Sequence, residues 1–230
     1  MNRRLLITGA GGFLGSRICE YYSNRDGYEA VGVTHRELDI EDFVAVSAFI
    51  KAIRPDYVLH CAAISNTGTC ERNPVLSEKV NVRGTINLAK ACRNAGSRMI
   101  FTSSDQIYNT SHSLEPNREG SEGKPGNVYG RDKKRAEEAM LTYLPDAVAL
   151  RLTWMYDAPS RGRAAGQGLL QKLADALKDR REVEFPVHDY RGITYVWEVV
   201  RHLEEAMGLP GGVYNFGSEN RYNTFDTARL

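Results

Sequence analysis

The chain has 230 residues, 42% hydrophobic and 26% charged, a composition that supports a packed core and excludes global disorder. Thirty Lys and Arg against 29 Asp and Glu leave a net charge of +1, so nothing electrostatic points to nucleic acid or an anionic membrane surface as partner. No apolar run approaches the roughly 18 residues of a membrane span. Thr8-Gly9-Ala10-Gly11-Gly12 also cuts the opening Leu5-Leu6-Ile7 stretch short of a signal-peptide core. A cytoplasmic protein is expected. Cys19, Cys61, Cys70 and Cys92 form no CxxC pair and have no His at metal-ligand spacing. They are expected to be reduced, and no metal site is expected.

Arg4 to Thr8 reads as a short strand running into glycines, and Phe13, Leu14, Ile18, Tyr21 and Tyr22 give the helical face that follows. Ala30 to Val33 is a second strand. Glu41 to Ile53 places Phe43, Val46, Phe49, Ile50 and Ile53 at 3/4 spacing, and Arg54-Pro55 stops that helix. Tyr57 to Ala62 is the next strand. Asn73 as N-cap and Pro74 at the first helical position open a long helix to about Asn94, ended by Gly96. Met99 to Ser103 is a strand, Tyr129 to Tyr143 a charged helix and Ala147 to Thr153 another strand. The stretch from Thr110 to Asn127 is a surface loop. Ser160 to Gly168 is a flexible basic loop, either closing over an anionic ligand or simply solvated, before a helix from about Leu169 to Arg180. Gly212 to Phe216 is a strand, and Asn223-Thr224-Phe225-Asp226 begins a helix. Strands separated by helices predict an α/β fold with a doubly wound parallel sheet.

Gly9-x-x-Gly12-x-x-Gly15 falls at the turn between the first strand and the first helix. A tight turn there, and close backbone approach to a pyrophosphate, both need missing side chains, and the helix N-terminus offers free N–H groups to phosphate. A dinucleotide cofactor is the reading. In such folds an acid at the end of the second strand holds the ribose 2′-hydroxyl of NAD. This strand instead ends Val33-Thr34-His35-Arg36, with Glu37 and Asp39 slightly later. Arg36 suits a 2′-phosphate, so NADP is favoured, with NAD the alternative.

Tyr129 and Lys133 are the only Tyr and Lys spaced four apart, and on a helix they share one face. An ammonium beside a phenol is expected to lower the tyrosine pKa. Ser103-Ser104-Asp105 ends a strand at the carboxyl edge of the sheet, where doubly wound folds bind ligands. A Ser104 hydroxyl there can hydrogen-bond a substrate carbonyl while Tyr129 delivers a proton.

With these residues assembled, the chain resembles an extended short-chain dehydrogenase/reductase, most closely the dTDP-4-dehydrorhamnose reductase family. Thr8 to Gly15 matches the opening fingerprint, Leu38-Asp39-Ile40 the adenine segment, and His60-Cys61-Ala62-Ala63 the strand end lining the cofactor. Asn81 to Leu88 is similar to the fourth helix, Ser103-Ser104-Asp105 and Tyr129-Gly130-Arg131-Asp132-Lys133 to the catalytic segments, and Arg151-Leu152-Thr153-Trp154 to the stretch leading into the sugar-nucleotide site. Two departures stand out. Gln106 replaces the aromatic usual after Asp105, and the family usually continues some tens of residues past a strand like Gly212 to Phe216.

The resemblance implies a Rossmann domain over 1–156, rejoined by 191–217. Segments 157–190 and 218–230 would then form a C-terminal substrate-binding subdomain that is small or incomplete. Ser104, Tyr129 and Lys133 would be catalytic. Gly9, Gly12, Phe13, Leu14, Gly15, Arg36, Asp39, Ile40, Cys61, Ala62 and Ala63 would join Tyr129 and Lys133 around the cofactor. Ser65, Asp105, Gln106 and Trp154 would face the substrate. The implied activity is NAD(P)H-dependent reduction of a keto group on a nucleotide-linked sugar or other small carbonyl compound, with a homodimer as candidate assembly. The alternatives are an epimerase or dehydratase that recycles bound NAD, and a dinucleotide-binding regulatory subunit without catalysis.

Overall fold

A computed structural model describes residues 2–111, 115–158 and 168–230. Its main sheet is built from β1 (Arg3–Thr8), β2 (Tyr28–Val33), β3 (Tyr57–His60), β4 (Arg98–Ser104), β5 (Val148–Leu152) and β8 (Gly212–Phe216), in the order β2-β1-β3-β4-β5-β8. Every neighbouring pair is parallel. The fold is thus a doubly wound parallel α/β sheet, as the strand–helix alternation predicts.

Both sheet faces are covered, and the sequence shows why. Along β1, Leu6 joins a core with Val46, Ile50, Val58, Met99, Phe101 and Met140. Its neighbours Leu5 and Ile7 join the opposite core with Ile18, Leu59, Ile100, Leu150 and Leu203. Successive strand residues point to opposite faces, so a strand buried on both must be apolar throughout. The first core packs beneath α2 (Phe43–Ile53), α5 (Thr85–Ala95) and α6 (Val128–Tyr143); the second lies under α1 (Phe13–Ser23) and α8 (Val196–Gly208).

The order reverses at β1 and β3: the chain leaves β1 for β2 on one side and returns to β3 on the other. Such a switch point opens a crevice at the carboxyl ends of the two strands. The glycine turn lies there.

The long helix foreseen from Asn73 is present but composite. Asn73 Oδ1 accepts Leu76 N–H at 3.2 Å and opens α4 (Pro74–Glu78). A π-helical segment over Lys79–Gly84 then leads into α5, which Gly96 ends in the left-handed region at φ 72°. A helix before it, α3 (Thr67–Arg72), is capped by Asn66 and was not foreseen. Nor was a second sheet of two parallel strands, β6 (Trp154–Tyr156) and β7 (Ile193–Tyr195). The helix expected near 169–180 is α7 (Leu169–Asp179), and α9 (Thr224–Arg229) starts at Asn223, whose side chain accepts Asp226 N–H. The basic loop Ser160 to Gln167 lies outside the described residues.

Candidate active site

At the turn after β1, Gly9 adopts φ +70°, and a Cβ on it would lie 2.7 Å from the Ala62 backbone nitrogen. The loop therefore packs directly on the end of β3, bringing Cys61, Ala62 and Ala63 to the crevice. A Cβ on Gly15 would sit 2.2 Å from the Gly9 carbonyl oxygen, so helix α1 can approach the strand only without it. Gly12 caps α1 with no side-chain bond, and a Cβ on Gly11 would meet only Thr34 Cγ2, at 3.5 Å. Bare glycines thus leave the first-turn N–H groups, including those of Phe13 and Leu14, open to an anion. This cradle fits the pyrophosphate of a dinucleotide.

Behind it stands a buried network. Thr85 Oγ1 donates to the Asn81 carbonyl at 2.7 Å, so it must accept from His60 Nε2 at 3.0 Å. That leaves His60 Nδ1 to accept from Thr8 Oγ1 at 2.8 Å, while Thr8 Oγ1 accepts from Ala62 N–H at 3.4 Å. His60 is neutral in this arrangement. Burial, first, and the nearby Lys133 charge hold its pKa down at about 3. Asn81 continues the chain by pairing with both Ile64 N–H and its carbonyl. The ends of β1 and β3 and the loop after β3 are thereby fixed together.

At the end of β2, Arg36 is exposed and has no ion-pair partner among the described residues. The acid beside it is occupied: Glu37 accepts from Thr34 N–H at 2.7 Å and from Thr34 Oγ1 at 2.8 Å, bonds that lower its pKa. Asp39 is exposed and accepts from Glu41 N–H. Ile40 is buried against Gly84, and Asn87 Nδ2 donates to its carbonyl.

Ser104, Tyr129 and Lys133 converge at the carboxyl edge of β4. Asn127 caps α6, accepting Gly130 N–H at 2.7 Å, and Glu71 accepts Val128 N–H at 2.6 Å, which fixes the turn that carries Tyr129. Burial, first, and the Asp105 charge raise the Tyr129 pKa, against the smaller lowering effect of the nearby Ser104 hydroxyl. This is opposite to the direction expected from the Tyr/Lys spacing. Lys133 is fully buried, donates to the Thr102 carbonyl at 2.7 Å, and lies 5.7 Å from the Tyr129 ring centre and 4.4 Å from that of Phe101. Burial lowers its pKa to about 8. The ammonium therefore sits below the ring rather than on the phenol oxygen. Beside them Ser103 Oγ is buried without a hydrogen-bond partner among the described residues.

The four residues expected around the substrate divide. Asp105 and Trp154 are brought together by Arg191, which pairs with Asp105 at 3.3 Å and lies 4.7 Å over the Trp154 ring. Gln106 also bonds the scaffold: its Oε1 accepts from Asn127 Nδ2 at 2.8 Å, and its carbonyl oxygen would lie only 2.5 Å from a Cβ on Gly130. A short amide in place of an aromatic thus locks the start of α6. Ser65 is exposed on the loop after β3. Cys61 is no nucleophile, since burial raises its thiol to about 12.

Two residues of consequence carried no sequence signal. Arg191 is one. Arg17 is another: it stacks at 4.0 Å on Phe13 of the glycine turn and forms a buried ion pair at 2.8 Å with Asp157, just past β6. Arg151, expected to lead toward the sugar nucleotide, instead forms a buried pair with Glu137 and bonds Tyr108 and the Glu119 carbonyl. It ties the loop after Tyr108 to the sheet.

Residues 3–230 match the RmlD substrate binding domain family. The chain belongs to that family. Among its relatives, the dTDP-4-dehydrorhamnose reductase of Mycolicibacterium smegmatis is 31% identical over 239 residues, covering 100% of this chain and 68% of the relative. Methionine adenosyltransferase 2 subunit beta of Xenopus laevis is 32% identical over 238 residues, covering 99% of this chain and 70% of that one. In structure, the dTDP-4-dehydrorhamnose reductase of Bacillus anthracis, solved in complex with NADP, superposes with a TM-score of 0.90 at 24% identity, covering 100% of this chain and 79% of that one. The fold is thus that of the RmlD proteins, as the motifs imply. Among the described residues no helix is long and apolar enough to cross a membrane.

Proposed function

We propose that this chain is an NADPH-dependent reductase of a keto group on a nucleotide-linked sugar. One observation carries the reading: a Ser, a Tyr and a Lys converge beside a glycine cradle open to phosphate, in a family whose members include dTDP-4-dehydrorhamnose reductases. The cradle at Gly9 to Gly15 would hold the pyrophosphate, and Arg36 the 2′-phosphate, because the neighbouring Glu37 is spent on Thr34. When bound, NADPH supplies the hydride.

The chain's own residues would manage the proton. Tyr129 is protonated near neutral pH, as an ordinary phenol is, and burial holds that proton more tightly; it donates to the carbonyl oxygen as negative charge develops there. Ser104 donates a second hydrogen bond to the same oxygen. Lys133 uses one N–H on the Thr102 carbonyl, and an ammonium has three. The other two are free to hold the ribose hydroxyls next to the nicotinamide. Trp154 offers an aromatic face to a sugar or base ring. Segments 157–190 and 218–230 supply the rest of the substrate side, with 1–156 and 191–217 as the dinucleotide-binding unit. The reaction takes place in the cytoplasm, and a homodimer is the proposed assembly.

A second reading, a regulatory subunit that binds the dinucleotide without turnover, is favoured by the likeness to a methionine adenosyltransferase subunit. Incubating the protein with NADPH and a panel of sugar nucleotides separates the readings. Stoichiometric cofactor oxidation supports the reductase. Turnover without net consumption indicates an epimerase or dehydratase, and binding without turnover leaves the regulatory role.

A further inference from the structure

The caps at Asn127 and Glu71 fix where α6 begins, and a second attachment further on fixes which way its inner face turns. Asp132 lies on that face, three residues after Tyr129 and one before Lys133, and its side chain is only 5% exposed. Burying a carboxylate is costly unless it is hydrogen-bonded. Here Ser77 of α4, itself fully buried, donates to Asp132 Oδ2 at 2.6 Å, and Arg135 of the same helix lies 3.8 Å from Oδ1. Ser77 Oγ accepts in turn from Asn81 Nδ2 at 3.2 Å. Asn81 sits in the π-helical segment and holds Ile64 through both backbone groups, while its carbonyl takes the Thr85 hydroxyl. From Thr85 the chain of bonds runs through His60 to Thr8, the last residue of β1 before the glycine turn. A continuous buried path of hydrogen bonds joins the helix of Tyr129 and Lys133 to the cofactor cradle.

We propose that Ser77 and Asp132 are positioning residues that set the place of Lys133, and with it Tyr129, relative to that cradle. The inference rests on the reading that Lys133 holds the nicotinamide ribose, and neither residue touches a reacting atom. Charge is not the means. After burial, the Tyr129 pKa responds to Asp105, Ser104 and Cys70, and that of Lys133 to Cys61, Glu137 and Cys70; Asp132 perturbs neither. What it supplies is a short, directional bond from α6 to α4 beside the lysine. The carboxylate in turn depends on that bond. Burial, first, and Glu78 raise the Asp132 pKa, and Ser77 is the largest of the groups opposing the rise, ahead of Arg135 and Arg131.

The test is a double-mutant cycle on cofactor affinity, which needs no substrate. NADPH dissociation constants are measured by fluorescence titration of the full chain, with far-UV circular dichroism to verify that each variant is folded. Lys133→Met should weaken NADPH about tenfold or more. Asp132→Ala should weaken it about tenfold in the parent, but by less than about twofold in the Lys133→Met background, because its effect is exerted through the lysine. Asp132→Asn keeps an oxygen for the Ser77 hydroxyl and should stay within about threefold of the parent. Should Asp132→Ala not fold, Ser77→Ala takes its place in the cycle with the same expectation. Equal losses in the two backgrounds mean that the pair merely supports the fold, and overturn the proposal; so does an Asp132→Asn variant as weak as Asp132→Ala. If Lys133→Met binds NADPH as the parent does, the ribose assignment fails and the proposal falls with it. A second arm follows reduction of dTDP-4-dehydrorhamnose. Asp132→Ala should lower kcat more than it raises the KM of the sugar nucleotide, and a change confined to that KM overturns the proposal. A parent that turns over no sugar nucleotide refutes the reductase reading alone, and the binding cycle still decides the role of Ser77 and Asp132.

Discussion

Acidification should strike this fold through His60. The ring is fully buried, stacked on Phe101, and each nitrogen is committed: Nδ1 accepts from Thr8 and Nε2 donates to Thr85. Its pKa is held at about 3, against 6.5 for an unperturbed histidine. The unfolded chain therefore takes up a proton below about pH 6.5 that the native state refuses, so stability is complete above that pH and is lost as pH falls toward about 3. Each pH unit in that window costs up to about 1.4 kcal/mol, and a drop from about pH 7 to about pH 5 costs roughly 2 kcal/mol. Asp105 and Asp132, both raised by burial, act in the opposite direction. The assay is therefore a difference. Urea unfolding of the parent and of His60→Asn is measured at both pH values. His60→Asn is less stable at both, but its loss between them should be smaller by roughly 2 kcal/mol. Equal losses in the two proteins would refute the neutral, buried assignment.

Two further outcomes follow from the cofactor crevice. Gly15→Ala would gain up to about 1 kcal/mol of helix propensity, yet its Cβ would meet the backbone oxygen of Gly9 at 2.2 Å. Net destabilisation is expected, with NADPH affinity down about tenfold or more in a fluorescence titration, whereas Gly11→Ala should keep the parental melting temperature. Arg36→Ala should weaken NADPH by about 1–3 kcal/mol and leave NADH nearly unchanged; equal affinities of the parent for the two cofactors would remove the basis for that assignment.

The sheet was legible because its strands are buried on both faces and so read as unbroken apolar runs, as in Leu5-Leu6-Ile7 or Met99-Ile100-Phe101. Elements with weak burial were not. Helix α3 buries only Cys70, and β6 and β7 are three residues each, mostly half-buried. Helix α8 is different: Val196, Val199, Val200, Leu203, Ala206 and Met207 are all buried at helical spacing, so its signal is present in the sequence. In the site, the Tyr129/Lys133 spacing correctly placed both on one helix face. The electrostatic consequence was misjudged because spacing says nothing of burial, and here desolvation outweighs the cation. Arg191 was out of reach for another reason: it meets Asp105 across 86 positions of sequence, a pairing that only the folded loops create. Gln106 also bonds the scaffold, its amide oxygen accepting from Asn127 21 positions away, a contact that its place in the sequence does not reveal.

The assignment of Tyr129 as proton donor is tested most directly by Tyr129→Phe. The substitution removes the hydroxyl and keeps the ring that packs with Cys70 and Val128, so NADPH binding should stay close to parental. Reduction of dTDP-4-dehydrorhamnose, followed by NADPH absorbance under single-turnover conditions, should slow by about 10²–10⁴-fold, the usual cost of losing a positioned general acid. A variant that binds NADPH normally and reduces the sugar at the parental rate would contradict the account.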